Sequence, residues 1–254
     1  MSDAPAMPVF DELADAYDAL IDWPARLRNE ESFFRRLFDD HGVRRVLDTA
    51  CGTGRHAAMF HSWGVSVEGA DVSPAMIARC RKHFGEPEGL RWIVRPFTEP
   101  PERGRFDAAI CIGNSLSLAG GPADVRQAVA AMMASLRDGG LCVIQILNLW
   151  RLPQGPTVWS KRRHVRMSGE ERILLKGLHR VGDRGFIDLI DVTLGPEGLS
   201  NRLDAPTFRG LELKEIADAV ESAAGRVVGI FGDYHDAPYD RERSTDLIVV
   251  SRRP

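Results

Sequence analysis

Two carboxylates flank a glycine-rich stretch at the spacing of a nucleotide-binding turn. Asp48 precedes Gly52 and Gly54 in "LDTACGTGRHA", and Asp71 ends the next apolar run. Glycine removes the side chain that would keep a ligand from the backbone, and a helix that starts there directs its unpaired N–H groups at an anion. With Ala57, the glycines loosely match the dinucleotide fingerprint G-x-G-x-x-A. The stretch predicts a turn that holds a nucleotide-like ligand.

The two carboxylates narrow the choice of ligand. Asp71 can accept hydrogen bonds from both hydroxyls of a ribose, which favours a nucleoside. Asp48 faces the centre of the turn, where a carboxylate repels a pyrophosphate but tolerates an ammonium or sulfonium group. A zwitterionic ligand that contains a nucleoside therefore fits better than a dinucleotide.

The elements that must position these residues follow a βαβ pattern from residue 46 to residue 147. The β-rich runs are RVLD, VSVEGAD, LRWIV, DAAICI and LCVIQIL, and the helices between them are predicted over residues 55–63, 74–84 and 122–136. This alternation predicts a parallel sheet with helices on both faces. Ser73 is the predicted N-cap of the second helix, and "RDGG" (137–140) is predicted to end the third.

The flanking segments differ from this pattern. Residues 27–38 predict an amphipathic helix that packs on the sheet, and residues 211–224 predict another before the closing runs RVVGIF and DLIVVS. ERILLKGLHRV and FIDLIDVTL alternate with period two around GDRG, which predicts an antiparallel insertion. We predict four segments: an N-terminal helical cap (1–40), a cofactor-binding core (41–150), an antiparallel substrate lid (151–210), and a C-terminal helix and strand pair that completes the core (211–254).

Composition excludes several classes of protein. The 254 residues, 44% of them hydrophobic, suit one large domain. A net charge of -3 argues against a nucleic-acid or membrane partner. No apolar run reaches the roughly 18 residues that span a bilayer, and acidic residues near the start stand where a secretory signal carries positive charge. We therefore expect a cytoplasmic protein.

The cysteines have no metal-ligand spacing. Cys51, Cys80, Cys111 and Cys142 are far apart in the sequence. This spacing fits neither a zinc site nor a disulfide framework. We expect small buried side chains and no metal.

The predicted lid is basic. Residues 151–210 hold eleven Lys or Arg against seven Asp or Glu. A basic lid over an acidic core would draw in an anionic substrate. The alternative is that "KRRHVR" (161–166) is a solvated face, and the sequence leaves both interpretations open.

Four motifs together resemble a known superfamily. "VLDTACGTGRHA", "VEGADVSPAMI", "FDAAICIGNSLSLA" and "LRDGGLCVIQ" occur in this order and spacing. As a set, over about residues 44–147, they resemble the motifs of class I S-adenosyl-L-methionine-dependent methyltransferases. The resemblance implies an α/β, Rossmann-like, seven-stranded, mostly parallel sheet in which DLIVVS is an antiparallel strand near the edge. It also implies S-adenosyl-L-methionine as the cofactor and methyl transfer as the activity.

The resemblance also implies the cofactor-binding residues. The methionine end would be lined by the turn, the ribose held by Asp71, and the adenine packed by Val72 and Met76. Ala50 replaces the first glycine of the motif, and the acidic residue usual after the third strand is missing from "VRPFTEPP". Phe97 is therefore assigned to stack on the adenine. The cofactor residues implied within the core are Asp48, Ala50, Cys51, Gly52, Gly54, Asp71, Val72, Met76, Phe97 and Cys111.

The N-terminal segment carries a narrower resemblance. "CIGNSLSLA" after "FDA", together with "YDAL" and an arginine-bearing helix, is similar to glycine N-methyltransferase and the amino-sugar N-methyltransferases. On that similarity Tyr17 and Arg28, or Arg26, close over the carboxylate of the cofactor. The alternative is that the aromatic residue and the arginine only pack and snorkel.

Methyl transfer from a sulfonium requires alignment and exclusion of water but no nucleophilic residue. The ligand of an open α/β sheet lies beyond the carboxyl ends of the strands. This rule selects Asn114, after the fourth strand, and Tyr234 and His235, in the loop after RVVGIF, as candidate catalytic residues. His235 could act as a base for a hydroxyl substrate, or it could be an inert surface residue. His56 is interpreted as structural.

We therefore expect a methyltransferase that acts on nitrogen, or else oxygen, of a small polar metabolite. The alternatives are a nicotinamide-dependent oxidoreductase and a non-catalytic S-adenosylmethionine-binding module. A macromolecular substrate is disfavoured because the sequence contains no recognised nucleic-acid motif. The oligomeric state is left open, although an exposed edge of the lid hairpin would be a pairing surface.

Overall fold

A computed structural model describes residues 18–101, 103–167, 169–195 and 198–254. Its strands are β1 (Arg45–Asp48), β2 (Ser66–Asp71), β3 (Leu90–Val94), β4 (Phe106–Cys111), β5 (Leu136–Leu147), β6 (Val158–Met167), β7 (Glu170–Val181), β8 (Arg184–Gly195), β9 (Gly198–Asp204), β10 (Thr207–Arg209), β11 (Arg226–Phe231) and β12 (Asp246–Arg252). Its α-helices are α1 (Trp23–His41), α2 (Arg55–Ser62), α3 (Pro74–Phe84), α4 (Pro122–Ser135) and α5 (Leu213–Ser222).

The first sheet has seven strands in the order β11-β12-β5-β4-β1-β2-β3. Strands β1 to β5 pair in parallel. Strand β12 pairs antiparallel with both β5 and β11, so it is the antiparallel strand near the edge. The Rossmann-like fold class predicted from the sequence is confirmed.

Apolar clusters cover both faces of this sheet. Phe34, Phe60 and Trp92 belong to one cluster, beneath α1, α2 and α3. Leu47 and Met132 belong to the other, beneath α4 and α5. Because the central strands are buried on both faces, they read as continuous apolar runs. The carboxyl ends of these strands are thereby held at one edge of a rigid core.

Helix boundaries follow from local capping. Ser73 Oγ accepts a hydrogen bond from the Met76 N–H at 3.0 Å at the start of α3, as the sequence predicted. Helix α1 is longer than predicted because the Asp22 side chain caps its start and Gly42, in the left-handed conformation, caps its end. Strand β5 already begins at Leu136, so "RDGG" is the irregular first part of that strand rather than a separate turn.

The second sheet follows β5 and has the order β10-β8-β7-β6, with β9 also paired to β8. Strands β7 and β8 form the predicted hairpin around Gly182 and Asp183. Strand β6 contains "KRRHVR", which the sequence does not predict as a strand because its charged residues hide the alternation. This sheet is the antiparallel insertion predicted after the fifth strand of the first sheet.

One face of the second sheet packs on the rest of the molecule. Leu174, Ile187 and Leu189 from this inner face form a cluster with Leu149 and Leu152, just beyond β5. The sheet is thereby anchored beside the carboxyl ends of the parallel strands. No helix in the described part of the chain is long and apolar enough to cross a bilayer.

Candidate active site

The glycine turn lies between β1 and α2 and leaves space for a ligand. Gly52 and Gly54 both have positive φ, 54° and 80°, which side-chain-bearing residues rarely adopt. A Cβ on Gly54 would lie 2.7 Å from Trp92 Cη2, so Gly54 is required for packing. No described heavy atom lies within 4 Å of a Cβ built on Gly52. Gly52 therefore borders open space at the carboxyl ends of the strands.

Asp71 ties the glycine turn to the end of β2. Its Oδ2 accepts a hydrogen bond from the Gly52 N–H at 2.9 Å, and its Oδ1 accepts one from the Ser73 N–H at 3.0 Å. The residue is only partly buried. A carboxylate in this position can also face a ligand in the space beside Gly52.

Asp48 is a buried carboxyl with an unused acceptor. Its side chain is 1% exposed, and no described residue donates a hydrogen bond to its Oδ1. Burial and then the nearby charge of Asp71 raise the pKa of Asp48 to about 7, while the Ala50 N–H and Arg26 oppose that rise. An unpaired buried acceptor next to an open turn fits the cationic end of a zwitterionic ligand.

Arg26 is the arginine of α1 that faces this region. Its Nη2 lies 3.5 Å from a Cβ built on Gly113, just beyond β4, and its charge acts on Asp48. Arg28 is exposed, and its charge acts on Asp22 at the start of the helix. Of the two arginines that the sequence left open, Arg26 is thus the one near Gly113 and Asp48, and the assignment of either to the cofactor stays a prediction.

The segment before α1 lies against the glycine turn. Asp18 accepts hydrogen bonds from Thr53 Oγ1 and Arg55 Nη2, both at 2.9 Å, and from the Trp23 indole N–H at 2.5 Å. Tyr17, predicted to close over the cofactor, lies outside the described residues. The position of Asp18 nevertheless brings the chain to the mouth of the site.

The residues predicted to contact adenine lie at the ends of β2 and β3. Val72 is 44% exposed, whereas Met76 is 5% exposed. Phe97 lines a small cavity together with Thr49 and Ala70. The structure thus puts Val72 and Phe97 on accessible loops, while most of Met76 belongs to the packing of α3.

The two cysteines named as cofactor residues have buried side chains. Cys51 is 8% exposed and packs with Trp92. Cys111 is completely buried in the opposite cluster, where burial raises the pKa of its thiol to about 12. The thiol of Cys111 therefore belongs to the core, and its assignment as a cofactor-binding residue stays a prediction.

Tyr234 has a buried and unpaired hydroxyl. The residue is 4% exposed, and its ring packs edge-on against Phe33 with centroids 5.5 Å apart. No described residue hydrogen-bonds its Oη. Burial and then the charge of Glu30 raise the pKa of Tyr234 well above its ordinary value, while Arg26 opposes this rise. The hydroxyl is therefore close to the charged groups beside Gly113.

His235 does not share that environment. It is exposed, and its N–H donates to Asp233 Oδ1 at 2.8 Å. The next residue, Asp236, pairs with Arg36 on the solvent side of α1 at 2.5 Å. The His235 side chain is thus exposed, unlike the buried ring of Tyr234, and its assignment to the substrate pocket stays a prediction.

Asn114 links the ends of β4 and β5. It has a positive φ of 71°, and its Oδ1 accepts a hydrogen bond from the Leu147 N–H at 2.9 Å. Next to it, Gln145 Oε1 accepts from the Gly113 N–H and Gln145 Nε2 donates to Asp246 Oδ1, both at 2.7 Å. These bonds hold the loop after β4 in place, so the Asn114 side-chain oxygen has a structural partner.

Two acidic residues of this region, Glu30 and Asp246, are not evident from the sequence. Both are largely buried, but each lies in a segment whose local pattern is that of an ordinary helix or strand. One signal was available for Glu30: it is a charged residue on the face of α1 that also carries Phe33 and Phe34.

The chain is similar to curated methyltransferases over part of its length. A family described as a methyltransferase domain matches residues 46–140. Glycine/sarcosine N-methyltransferase of Parasynechococcus marenigrum is 37% identical over 148 residues, which are 57% of this chain and 52% of that protein. Glycine N-methyltransferase of Oryctolagus cuniculus is 32% identical over 55% of each chain. The chain spans about half the length of the curated relatives it matches.

Solved structures share the fold over nearly the whole chain. An amino pentose methyltransferase of Micromonospora echinaspora, solved with S-adenosylmethionine bound, has a TM-score of 0.72 at 21% identity and covers 100% of both chains. A sugar N-methyltransferase of Streptoalloteichus has a TM-score of 0.73 at 22% identity, covering 100% of this chain and 96% of that one. Residues 46–140 thus match a methyltransferase-domain family, and the chain shares its fold with these solved methyltransferases.

Proposed function

We propose that this chain transfers a methyl group from S-adenosylmethionine to a nitrogen of a small polar metabolite that carries an anionic group. The observation that carries the proposal is the open space beside Gly52, in the same turn as the buried Asp48 carboxyl, whose Oδ1 has no partner among the described residues. The names of the relatives, which act on glycine, sarcosine and amino sugars, support the choice of nitrogen.

Each polar end of the cofactor has a complementary residue in the proposed complex. Asp71 accepts hydrogen bonds from the ribose hydroxyls. Arg26 pairs with the carboxylate of the methionine part, and Asp48 accepts from its ammonium group. Val72 and Phe97 cover the adenine. When bound, the cofactor supplies a methyl group on a positively charged sulfur.

The protein's part in the reaction is alignment. The acceptor lone pair must point at the methyl group in a space closed to water. We propose that Tyr234 Oη, which is buried and unpaired beside Arg26, orients the acceptor by a hydrogen bond. Asn114 acts indirectly, because its side-chain oxygen holds the end of β5.

The exposure of His235 also favours nitrogen over oxygen. A hydroxyl acceptor needs a base to remove its proton, whereas an amine that arrives neutral already has a lone pair. The histidine predicted for that role, His235, is exposed. An amine acceptor therefore does not require a base among the residues that border the site.

Replacing Tyr234 and His235 tests this assignment. We expect Tyr234→Phe to lower kcat about tenfold, because the acceptor loses one orienting hydrogen bond, with affinity for S-adenosylhomocysteine unchanged. His235→Ala should leave both quantities unchanged. Turnover and calorimetry on the two variants check this prediction, and a loss confined to His235→Ala would reverse the assignment.

The inner face of the lid presents positive charge toward the same region. Lys161 and Lys176 are cross-strand neighbours on β6 and β7 and therefore share one face. Lys176 is two residues from the buried Leu174, which places both lysines on the inner face. Burial and the cations Lys176, Arg26 and Arg163 lower the pKa of Lys161. Clustered cations of this kind fit an anionic acceptor.

A charge-removal experiment tests the anionic group. We expect the double variant Lys161→Ala/Lys176→Ala to raise KM for the acceptor about tenfold while kcat is retained, because the loss affects binding alone. The control is the double variant Arg162→Ala/Arg166→Ala, which removes an equal charge from the opposite face of β6. Equal effects of the two variants on KM would show that only the overall field matters.

The transfer to nitrogen is tested by chemical blocking. Small-molecule extract that stimulates release of S-adenosylhomocysteine is treated with an amine-specific acylating reagent. We expect the treatment to abolish stimulation. Retained stimulation would point to an oxygen acceptor.

We propose that residues 151–210 act as the substrate lid over the core formed by residues 41–150 and 211–254. A cytoplasmic location is supported by the four cysteines, which are free and buried. Small molecules, rather than nucleic acids or membranes, are the proposed partners.

A further inference from the structure

Glu30 and His56 form a buried acid–imidazole pair between α1 and α2. They are 4% and 5% exposed, and His56 Nε2 lies 2.5 Å from Glu30 Oε2. A buried carboxylate is tolerated only where it is well paired. The second oxygen, Glu30 Oε1, accepts from Arg26 Nε at 2.8 Å. Each oxygen of Glu30 is thus bound by a different element of the fold.

The protonation states support a directed chain of hydrogen bonds. Burial lowers the pKa of His56, although Glu30 opposes this effect. Burial alone would raise the pKa of Glu30, but hydrogen bonds from His56 and the charge of Arg26 keep it below its ordinary value. A neutral imidazole therefore donates Nε2–H to an ionised Glu30, which in turn holds Arg26.

Arg26 is held on a second side by an aromatic ring. Its guanidinium carbon lies 5.2 Å from the centroid of Trp23, and the same ring meets His56 edge-on at 5.8 Å. An unrestrained arginine loses much rotamer freedom when it binds a carboxylate. Contacts at Nε and at the ring reduce that loss in advance, while Nη2 reaches toward Gly113.

We infer that Glu30 and His56 are positioning residues that hold the Arg26 guanidinium beside Gly113 to receive the carboxylate of the cofactor. The inference rests on the proposed role of Arg26. His56 is in the first turn of α2, directly after the glycine turn, so the pair couples the position of Arg26 to the position of that turn. The pair thereby fixes the binding position of the cofactor carboxylate relative to the binding position of the rest of the cofactor.

The test compares two ligands that differ in the amino-acid part. S-adenosylhomocysteine carries the carboxylate, and 5′-methylthioadenosine lacks it. We expect Glu30→Gln to weaken binding of S-adenosylhomocysteine roughly tenfold and to change binding of 5′-methylthioadenosine by less than about twofold. The matched control is Glu31→Gln, which removes an exposed partner of Arg35 on the same helix and should change neither.

Combined variants separate positioning from general stability. Positioning predicts that Arg26→Gln/Glu30→Gln binds S-adenosylhomocysteine no more weakly than Arg26→Gln alone. His56→Gln, which retains an N–H donor, should bind nearly as wild type, whereas His56→Leu should resemble Glu30→Gln. This second pair of variants carries the test if Glu30→Gln fails to fold.

The outcomes that overturn the inference are distinct. Equal losses for both ligands, or additive losses in the double variant, would indicate a purely structural role. A selective loss in Arg26→Gln without one in Glu30→Gln overturns the positioning role and leaves the role of Arg26 intact. No loss in Arg26→Gln overturns both.

Discussion

Asp71→Ala is expected to weaken binding of S-adenosylhomocysteine about a hundredfold or more. Two hydrogen bonds from ribose hydroxyls to a charged carboxylate would be lost, at roughly 1.5–3 kcal/mol each. The same substitution also removes the acceptor for the Gly52 N–H, at 2.9 Å, and for the Ser73 N–H, at 3.0 Å. Calorimetry with the purified variant measures the loss.

Two ligands that differ in one ribose hydroxyl separate the contribution of Asp71 to ribose binding from its contribution to the structure of the turn. The wild type should bind 5′-methylthioadenosine more tightly than its 2′-deoxy analogue, because the analogue lacks one hydroxyl that Asp71 accepts from. In Asp71→Ala this preference should disappear. A preference that survives the substitution would place the ribose elsewhere.

Asp48→Asn is expected to weaken cofactor binding and to remove its pH dependence. The pKa of Asp48 is about 7 without ligand. A cationic group of the ligand pairs only with the ionised carboxylate, so below about pH 7 binding must also release the proton of Asp48. Affinity of the wild type should rise nearly tenfold per pH unit at low pH and level off above about pH 7. Calorimetry from about pH 5 to 7.5 measures this slope, and a wild-type affinity independent of pH would contradict the pairing.

The free energy of unfolding of the unliganded protein should have the opposite pH dependence and fall as the pH rises toward 7. The pKa of Asp48 is raised from the ordinary value of 3.8 to about 7 in the folded state. Between these values the folded carboxyl holds a proton that the unfolded chain has released. The contribution of Asp48 to stability is therefore present at low pH and is lost as the pH rises toward 7. Asp48→Asn should flatten this part of the stability profile.

The sequence was sufficient for the core of the fold and for the position of Asp71 at the end of β2. Helix α3 begins at Pro74, as predicted, because a local capping bond and a proline determine that boundary. The period-two pattern of β7 and β8 likewise predicted their pairing. These features depend on neighbours in the sequence, which a single chain displays directly.

Other features depend on contacts between distant segments. The choice of Arg26 over Arg28 rests on which side of α1 faces Gly113, and the roles of Tyr234 and His235 rest on where one loop turns outward. Strand β6 was missed because its burial depends on the strand beside it, not on its own charged sequence. Glu30 was missed because its partner His56 comes from another helix.

The central claim is that the methyl group goes to a small amine. The most direct test incubates the protein with S-adenosylmethionine labelled in its methyl group and a whole-cell extract, and then separates small molecules, protein and RNA. We predict that label enters the small-molecule fraction, in an anionic amine, with one S-adenosylhomocysteine formed per methyl transferred. Label found only in protein or RNA would contradict the account.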